Sequence, residues 1–322
     1  MSGGKIRPVL ARVLACGLFA CGGGASEAGE GLAVLPPRPG STRASQAEAA
    51  RALVDALLAA PGAPTLLAVL GQGHAVAREL LGRHTLQYEA EFSLVPAEPA
   101  RPVVDAPVLL EQKVKDTLEL RWAAGPGEPV RFYLSQRTDK HRGREVMVVD
   151  EQVYTRMLHR GWHVRPLDVP LSGGDLHLRW LDEAQRAVHD VVELAAPALS
   201  VTAREEGDVV QVGLSLGSGS ASAPASALAP GRAWRERAEI TGVEGTLTLD
   251  RATGLWQQAD VRVTYTLRDV QDRLVRGETH LTGAAARAPE LELHPPQDAK
   301  PLPERVRYEA ERRRLLEGLA GT

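Results

Sequence analysis

Apolar positions along this chain change their period several times, and each change predicts an element. From Ser45 onward Ala50, Leu53, Val54, Leu57 and Leu58 recur at the spacing of one helix face, and Pro61-Gly62 ends the run. Ser45-Gln46-Ala47-Glu48 opens it as a capping box, in which serine hydroxyl and glutamate carboxylate satisfy free backbone donors of the first turn. The spacing predicts an amphipathic helix over Ser45–Ala60, with a second short helical piece between Pro64 and Leu81.

The period then becomes two. Even positions of Leu86–Leu94 are apolar and odd ones mostly polar, Leu118, Leu120 and Trp122 alternate with Thr117, Glu119 and Arg121, and Val130, Phe132 and Leu134 continue the pattern. Successive side chains of a strand point to opposite faces, so this alternation predicts antiparallel strands with one face in a core and the other in water. Leu86, Tyr88, Phe92, Leu118, Leu120 and Leu134 are expected to be buried, and Gln87, Glu89, Glu119 and Arg121 exposed. Further strands are expected at Glu145–Asp150, Gln152–Leu158 and Trp162–Pro166, with Arg160-Gly161 as a hairpin turn.

After Gly173-Gly174, Asp175 caps an expected helix Asp175–Ala196 carrying Leu178, Leu181, Val188, Val191 and Val192, and Pro197 stops it. Strands resume at Leu199–Glu205, Val209–Leu216, Gly245–Asp250, Gln257–Arg268 and Leu274–Leu281. The order helix, strands, helix, strands predicts an α+β fold: a large curved antiparallel sheet covered on one face by helices. Its span is 45–285, interrupted by a Ser/Ala/Gly/Pro-rich insertion at 217–231 that is expected to be disordered. Residues 286–322 read as a Pro-rich link and a charged terminal helix, Glu304–Leu319.

Composition narrows the function classes. A net charge of -3 over 322 residues lacks the basic excess of a nucleic-acid binder. Arginine outnumbers lysine many-fold while alanine is abundant, a bias of GC-rich genomes rather than a phosphate-binding device. Both cysteines, Cys16 and Cys21, fall at the amino terminus, which removes a disulfide framework, cysteine-ligated zinc and a thiol nucleophile from the body of the chain. No apolar run reaches the length of a membrane-spanning helix.

The amino terminus is the most specific segment. Lys5, Arg7 and Arg12 precede the apolar run Val13–Ala20, the layout of a secretory signal over residues 1–20. Leu18-Phe19-Ala20-Cys21 resembles a bacterial lipobox, which implies acylation of the Cys21 thiol and cleavage just before it. An ordinary signal with an incidental cysteine, or Cys16 as anchor within Val13-Leu14-Ala15-Cys16, are the alternatives. Arg12 leaves too short an apolar run before Cys16, and the Gly/Ala-rich stretch after Cys21 reads as a flexible tether over 21–44. The resemblance implies a lipid-anchored protein of the bacterial envelope, and the lack of aspartate after Cys21 favours the outer membrane.

The strand series, the helices Ser45–Ala60 and Asp175–Ala196 and the hairpin Gly245–Gly254, whose strand ends in Asp250 before Thr253-Gly254, together resemble the LolA/LolB-like class of envelope carriers. That resemblance covers most of 45–285 at the level of pattern and implies an incomplete β-barrel whose hollow takes lipid. Leu53, Leu57, Leu178, Leu181, Val188 and Val192 would then line it, beside Val54 and Leu58.

No catalytic set emerges. His159 and His163 are expected on opposite pleats about their turn, and in one strand would stand about 13 Å apart, too far to share a metal. With His141 and His177 they read as surface or turn histidines. His-Glu-x-x-His and Gly-x-Ser-x-Gly are missing, and Gly71-Gln72-Gly73 lacks the third glycine of a dinucleotide loop. No metal or cofactor is therefore expected. Arg137, Asp139, Lys140, His141, Arg142, Arg144 and Glu145 form a charged cluster that reads as a solvated turn, or else as a contact for anionic lipid headgroups or a protein partner. Trp122 is expected in the core, while Trp162 and Trp256 sit beside turns. Two functions follow: a non-catalytic, membrane-anchored envelope lipoprotein that binds a partner, or a carrier or sensor of a hydrophobic ligand.

Overall fold

A computed structural model describes residues 43–72, 74–97, 111–167, 176–218, 234–235, 237–268 and 272–302. The expected lipobox, Asp175 cap and terminal helix lie outside these residues, as do most of the 217–231 insertion and the tether up to residue 42, its last two residues opening the first helix. The described residues form a mixed α and β structure dominated by one twelve-stranded, mostly antiparallel open sheet, with five α-helices and a 3-10 turn among them.

Six strands form a first meander: β1 (His84–Pro96), β2 (Gln112–Trp122), β3 (Phe132–Thr138), β4 (Gly143–Val149), β5 (Gln152–Met157) and β6 (His163–Pro166). Five more form a second: β7 (Leu199–Glu206), β8 (Val209–Leu216), β9 (Glu239–Asp250), β10 (Trp256–Arg268) and β11 (Leu274–Arg287). Within each, sequence neighbours pair antiparallel. The two meet where β1 pairs with β11, from His84 opposite Arg287 to Pro96 opposite Val275. Strand β12 (Lys300–Pro301), from the expected Pro-rich link, adds to β6 in parallel at one edge, and β7 stands at the other.

Alternation sets which face is buried. Leu86, Tyr88, Leu118, Leu120 and Leu134 are buried and Phe92 half-buried, whereas Gln87 and Arg121 are exposed and Glu89 and Glu119 half-buried. A slip of one residue would invert every one of these positions. The outward face carries cross-strand ion pairs, among them Lys115–Glu89 at 2.6 Å and Lys113–Glu91 at 3.0 Å, and a His280–Asp260 hydrogen bond at 2.8 Å.

Helix α1 (Arg43–Ala59) packs on α2 (Ala63–Leu70) and α3 (His74–Leu81). The helical piece expected between Pro64 and Leu81 is thus two helices, parted after Gly71-Gln72, where the Gly71 amide caps α2 by donating to Leu67 O at 2.8 Å. The expected long helix Asp175–Ala196 is likewise two, α4 (Leu176–Gln185) and α5 (Ala187–Ala195), separated by a turn at Arg186. Helix α5 lies against β10 and β11, α1 and α2 against β7, and α4 against β2. Val54, Leu57, Leu66, Leu181, Val188 and Val192 join the inward strand residues in one apolar cluster.

Two turns carry corrections and a lock. Thr155 faces His163, so the hairpin expected about Arg160-Gly161 is longer and spans 156–162. In the β9–β10 turn, Asp250 Oδ1 accepts from the Thr253 amide at 2.8 Å, the Thr253 hydroxyl at 2.7 Å and the Ala252 amide at 3.1 Å. Gly254 follows at φ 67, and a Cβ there would lie 3.0 Å from side-chain carbons of Val54 and Val69 and 2.7 Å from the Gln72 amide nitrogen. The turn is thereby wedged beneath α1 and α2.

Candidate functional site

Three strands place a polar side chain where alternation calls for an apolar one. Asp116 is in phase with Leu118 and Leu120, Gln136 with Leu134 and Phe132, and Arg144 with Val146 and Val148. Gln136 faces Arg144 across β3 and β4, and Asp116 is its diagonal neighbour on β2. Gln136 Nε2 donates to Asp116 Oδ2 at 2.7 Å, and Arg144 Nε donates to Gln136 Oε1 at 3.0 Å. The Arg144 guanidinium lies 4.1 Å from the ring centre of Trp180 and 3.6 Å from the Glu183 carboxylate, both on α4. A chain of polar contacts thus runs from the sheet to a helix.

Asp116 is 3% exposed, and burial pushes its carboxyl up to about 6, against the hydrogen bond from Gln136 and the charge of Arg144. Its Oδ1 has no hydrogen-bond partner among the described residues. Tyr88, on the neighbouring strand, is driven well above the usual phenol range by burial and by the carboxylates of Asp116, Glu183 and Asp190. The set holds an acid, an amide, a guanidinium and a phenol. Its polar atoms largely satisfy one another and tie the sheet to α4.

A second lock stands at the start of β1. His84 Nδ1 lies 2.7 Å from Gly82 O, and its Nε2 lies 3.1 Å from Gln185 Nε2. A carbonyl only accepts, so Nδ1 carries the proton and Nε2 accepts from the α4 glutamine. Burial holds this imidazole below its usual pKa, while the Gly82 carbonyl pulls the other way. Its ring stacks on Trp122, which stacks in turn on Phe132.

On α5, the donor atoms of His189, Asp190 and Glu193 lie within 4.8 Å of one another. Arg235 Nη1, on a side chain 2% exposed, donates to Glu193 Oε2 at 2.9 Å. Arg235 thus pairs with Glu193, while Asp190 Oδ1 lies 3.7 Å from His189 Nδ1. Sequence spacing did not single out this trio.

The charged cluster of β3 and β4 divides between two environments. Glu145, expected on a solvated turn, is 2% exposed and accepts from Tyr133 at 2.9 Å, Arg137 at 3.1 Å and Arg156 at 2.6 Å. Burial alone would push its carboxyl up, but these donors hold it below the usual range. Arg144 turns inward, as described above. Asp139, Lys140, His141 and Arg142, on the turn between β3 and β4, stay exposed.

The expected ligand-lining residues come together only in part. Leu57, Leu181, Val188 and Val192 are each 0% exposed, Leu53 is half-buried against the same cluster, and the Leu178 side chain and Cys21 lie outside the described residues. A surface hollow of about 380 Å³ lies instead over β7 and β8, bounded by Thr202, Arg204, Gln211, Gly213 and Thr246. Trp122, Trp234 and Trp256 are buried, and Trp162 is half-buried with Arg156 4.5 Å from its ring centre. Among the described residues no helix is long and apolar enough to cross a membrane. No protein-family model matches the chain, and no curated protein matches it.

Proposed function

We propose that this chain is a non-catalytic, membrane-anchored lipoprotein of the bacterial envelope, held through acylated Cys21 and acting by binding a partner at its surface. The observation that carries the choice against a lipid carrier is the packing of the core. A side chain that lines a hollow wide enough for an acyl chain keeps accessible surface toward that hollow. Leu57, Leu181, Val188 and Val192 keep none. An incomplete barrel with helices across its concave face, as in LolA/LolB-like carriers, would in this chain be filled by its own side chains, at the close packing of a protein interior. The lipobox-like Leu18-Phe19-Ala20-Cys21 supports the anchor, and an outer-membrane location follows from the residues after it.

The test is mass spectrometry of protein extracted from the envelope, paired with the Cys21→Ser variant. The expected result is an acylated amino-terminal Cys21 in the parent, loss of acyl mass in the variant, and no lipid retained by the variant in equimolar amount. An unacylated parent would overturn the anchor, and a variant that keeps one lipid per chain would restore the carrier.

A further inference from the structure

The two hairpin ends that join β3 to β4 and β5 to β6 lie side by side. Arg144 pairs with Met157 in register, and the Leu158 amide donates to Gly143 O at 2.9 Å. Lys140, His141 and Arg142 on one turn and His159 and Arg160 on the other are exposed. His141 at φ 55 and His159 at φ 64 sit in the left-handed conformation that makes each turn sharp. Opposing charge is nearly used up. Arg137 and Arg156 are committed to Glu145, Lys115 to Glu89 and Lys113 to Glu91, while Asp139 is the single acid of the two turns and pairs with Lys140 at 3.5 Å. Arg142 and Arg160 make no ion pair among the described residues. Beside them Met157 is 61% exposed, the most exposed large hydrophobic among those residues.

A basic rim around an apolar finger matches the interface of an anionic bilayer, where cations meet phosphates and an apolar side chain enters the headgroup layer. An acidic protein would match the cations but gives no reason for Met157. Position is compatible with this contact. Helix α1, where the described chain begins, packs at the β7 edge, and β4 lies eight places from β7 in the sheet, about 38 Å along it at ~4.8 Å per strand. The 21 residues between Cys21 and Arg43 reach at most about 75 Å. A tether of that reach permits the contact but does not orient the body.

We infer that the turn pair Asp139–Arg142 and Met157–Arg160 is a second membrane contact, which docks the body on anionic phospholipid. The inference concerns how the anchored protein proposed above sits on its membrane. It is tested in the Cys21→Ser chain, where acylation contributes nothing, by flotation with vesicles of phosphatidylcholine alone or with phosphatidylglycerol. A Lys or Arg at such a surface contributes about fivefold in affinity. The triple reversal K140E/R142E/R160E is therefore expected to weaken binding to phosphatidylglycerol vesicles at least tenfold. An equal charge change at other exposed arginines, R51E/R237E/R276E, is expected to leave it within about twofold. Met157→Ser is expected to weaken vesicle binding without changing the binding of polyglutamate. Equal losses in both triple variants would overturn the inference, as would no preference for phosphatidylglycerol, or polyglutamate binding tighter than vesicle binding. Acyl mass on Cys21 in the parent is read separately, so failure of the docking surface and failure of the anchor are distinguishable. Matching thermal unfolding curves establish that the exposed-turn variants are folded.

Discussion

Asp116→Asn should make the protein more stable at neutral pH and leave it unchanged in acid. Asp116 is 3% exposed, and its carboxyl rises from an ordinary 3.8 to about 6 in the folded chain. The folded state therefore binds this proton more tightly than the unfolded state does. The stability that this proton contributes is complete below about pH 4 and is lost as pH rises through about 6. A rise of about two units corresponds to ~3 kcal/mol, the cost of keeping the carboxylate buried at neutral pH. Asparagine keeps the acceptor that receives Gln136 Nε2 and removes the charge. Urea unfolding of parent and variant is measured at about pH 4 and about pH 7.5, with the variant expected to gain up to ~3 kcal/mol only at the higher pH. Taking the difference between the two proteins at each pH cancels His84, whose depressed pKa acts in the opposite sense. A variant that is less stable at the higher pH would refute the reasoning, because the carboxylate would then be earning its place through Arg144.

Three further outcomes follow from the same structure. Leu57→Ala, at a side chain with no exposed surface, should cost about 2–5 kcal/mol in urea unfolding, and a cost below ~1 would mean that the site is loosely packed. Gly254→Ala should lower stability by more than the ~1–2 kcal/mol that a left-handed alanine costs, since its Cβ also meets Val54, Val69 and Gln72; an unchanged unfolding midpoint would contradict the wedge. His84 should titrate below an ordinary imidazole by nitrogen NMR and, when neutral, carry its proton on Nδ1; a ring that titrates at or above the ordinary value would show that the buried Gln185 contact does not form.

Much of the sheet was legible because alternation is a local property. The phase of Leu86, Tyr88, Leu118, Leu120 and Leu134 assigned their burial before any partner strand was known. The break at Arg186 was not legible, since Leu181, Val188 and Val192 keep one helical period through it. Pairing of β1 with β11 was not legible either, because nothing in either strand specifies a partner nearly two hundred residues away. The seam of Asp116, Gln136 and Arg144 did leave a signal. Each is a polar residue at an inward phase, and polar groups are buried only when they have partners or a purpose. Glu145 left none, because it occupies the outward phase and is covered by arginines that reach over it.

The seam between the two meanders sets the order of assembly. Every other antiparallel pair in the sheet joins strands adjacent in sequence, whereas β1 and β11 close a loop that contains most of the chain. Non-local pairing must meet the loop-closure entropy before it is rewarded, so this ladder forms late and slows folding. Until then each meander exposes an unpaired edge, β1 in one and β11 in the other, ready to template a wrong partner. Glu89 and Glu91 on β1 and Glu278 on β11 place charge along those edges. A chain synthesised from its amino terminus holds the β1 edge open until β11 emerges, which makes that edge the place where a holding chaperone protects it best.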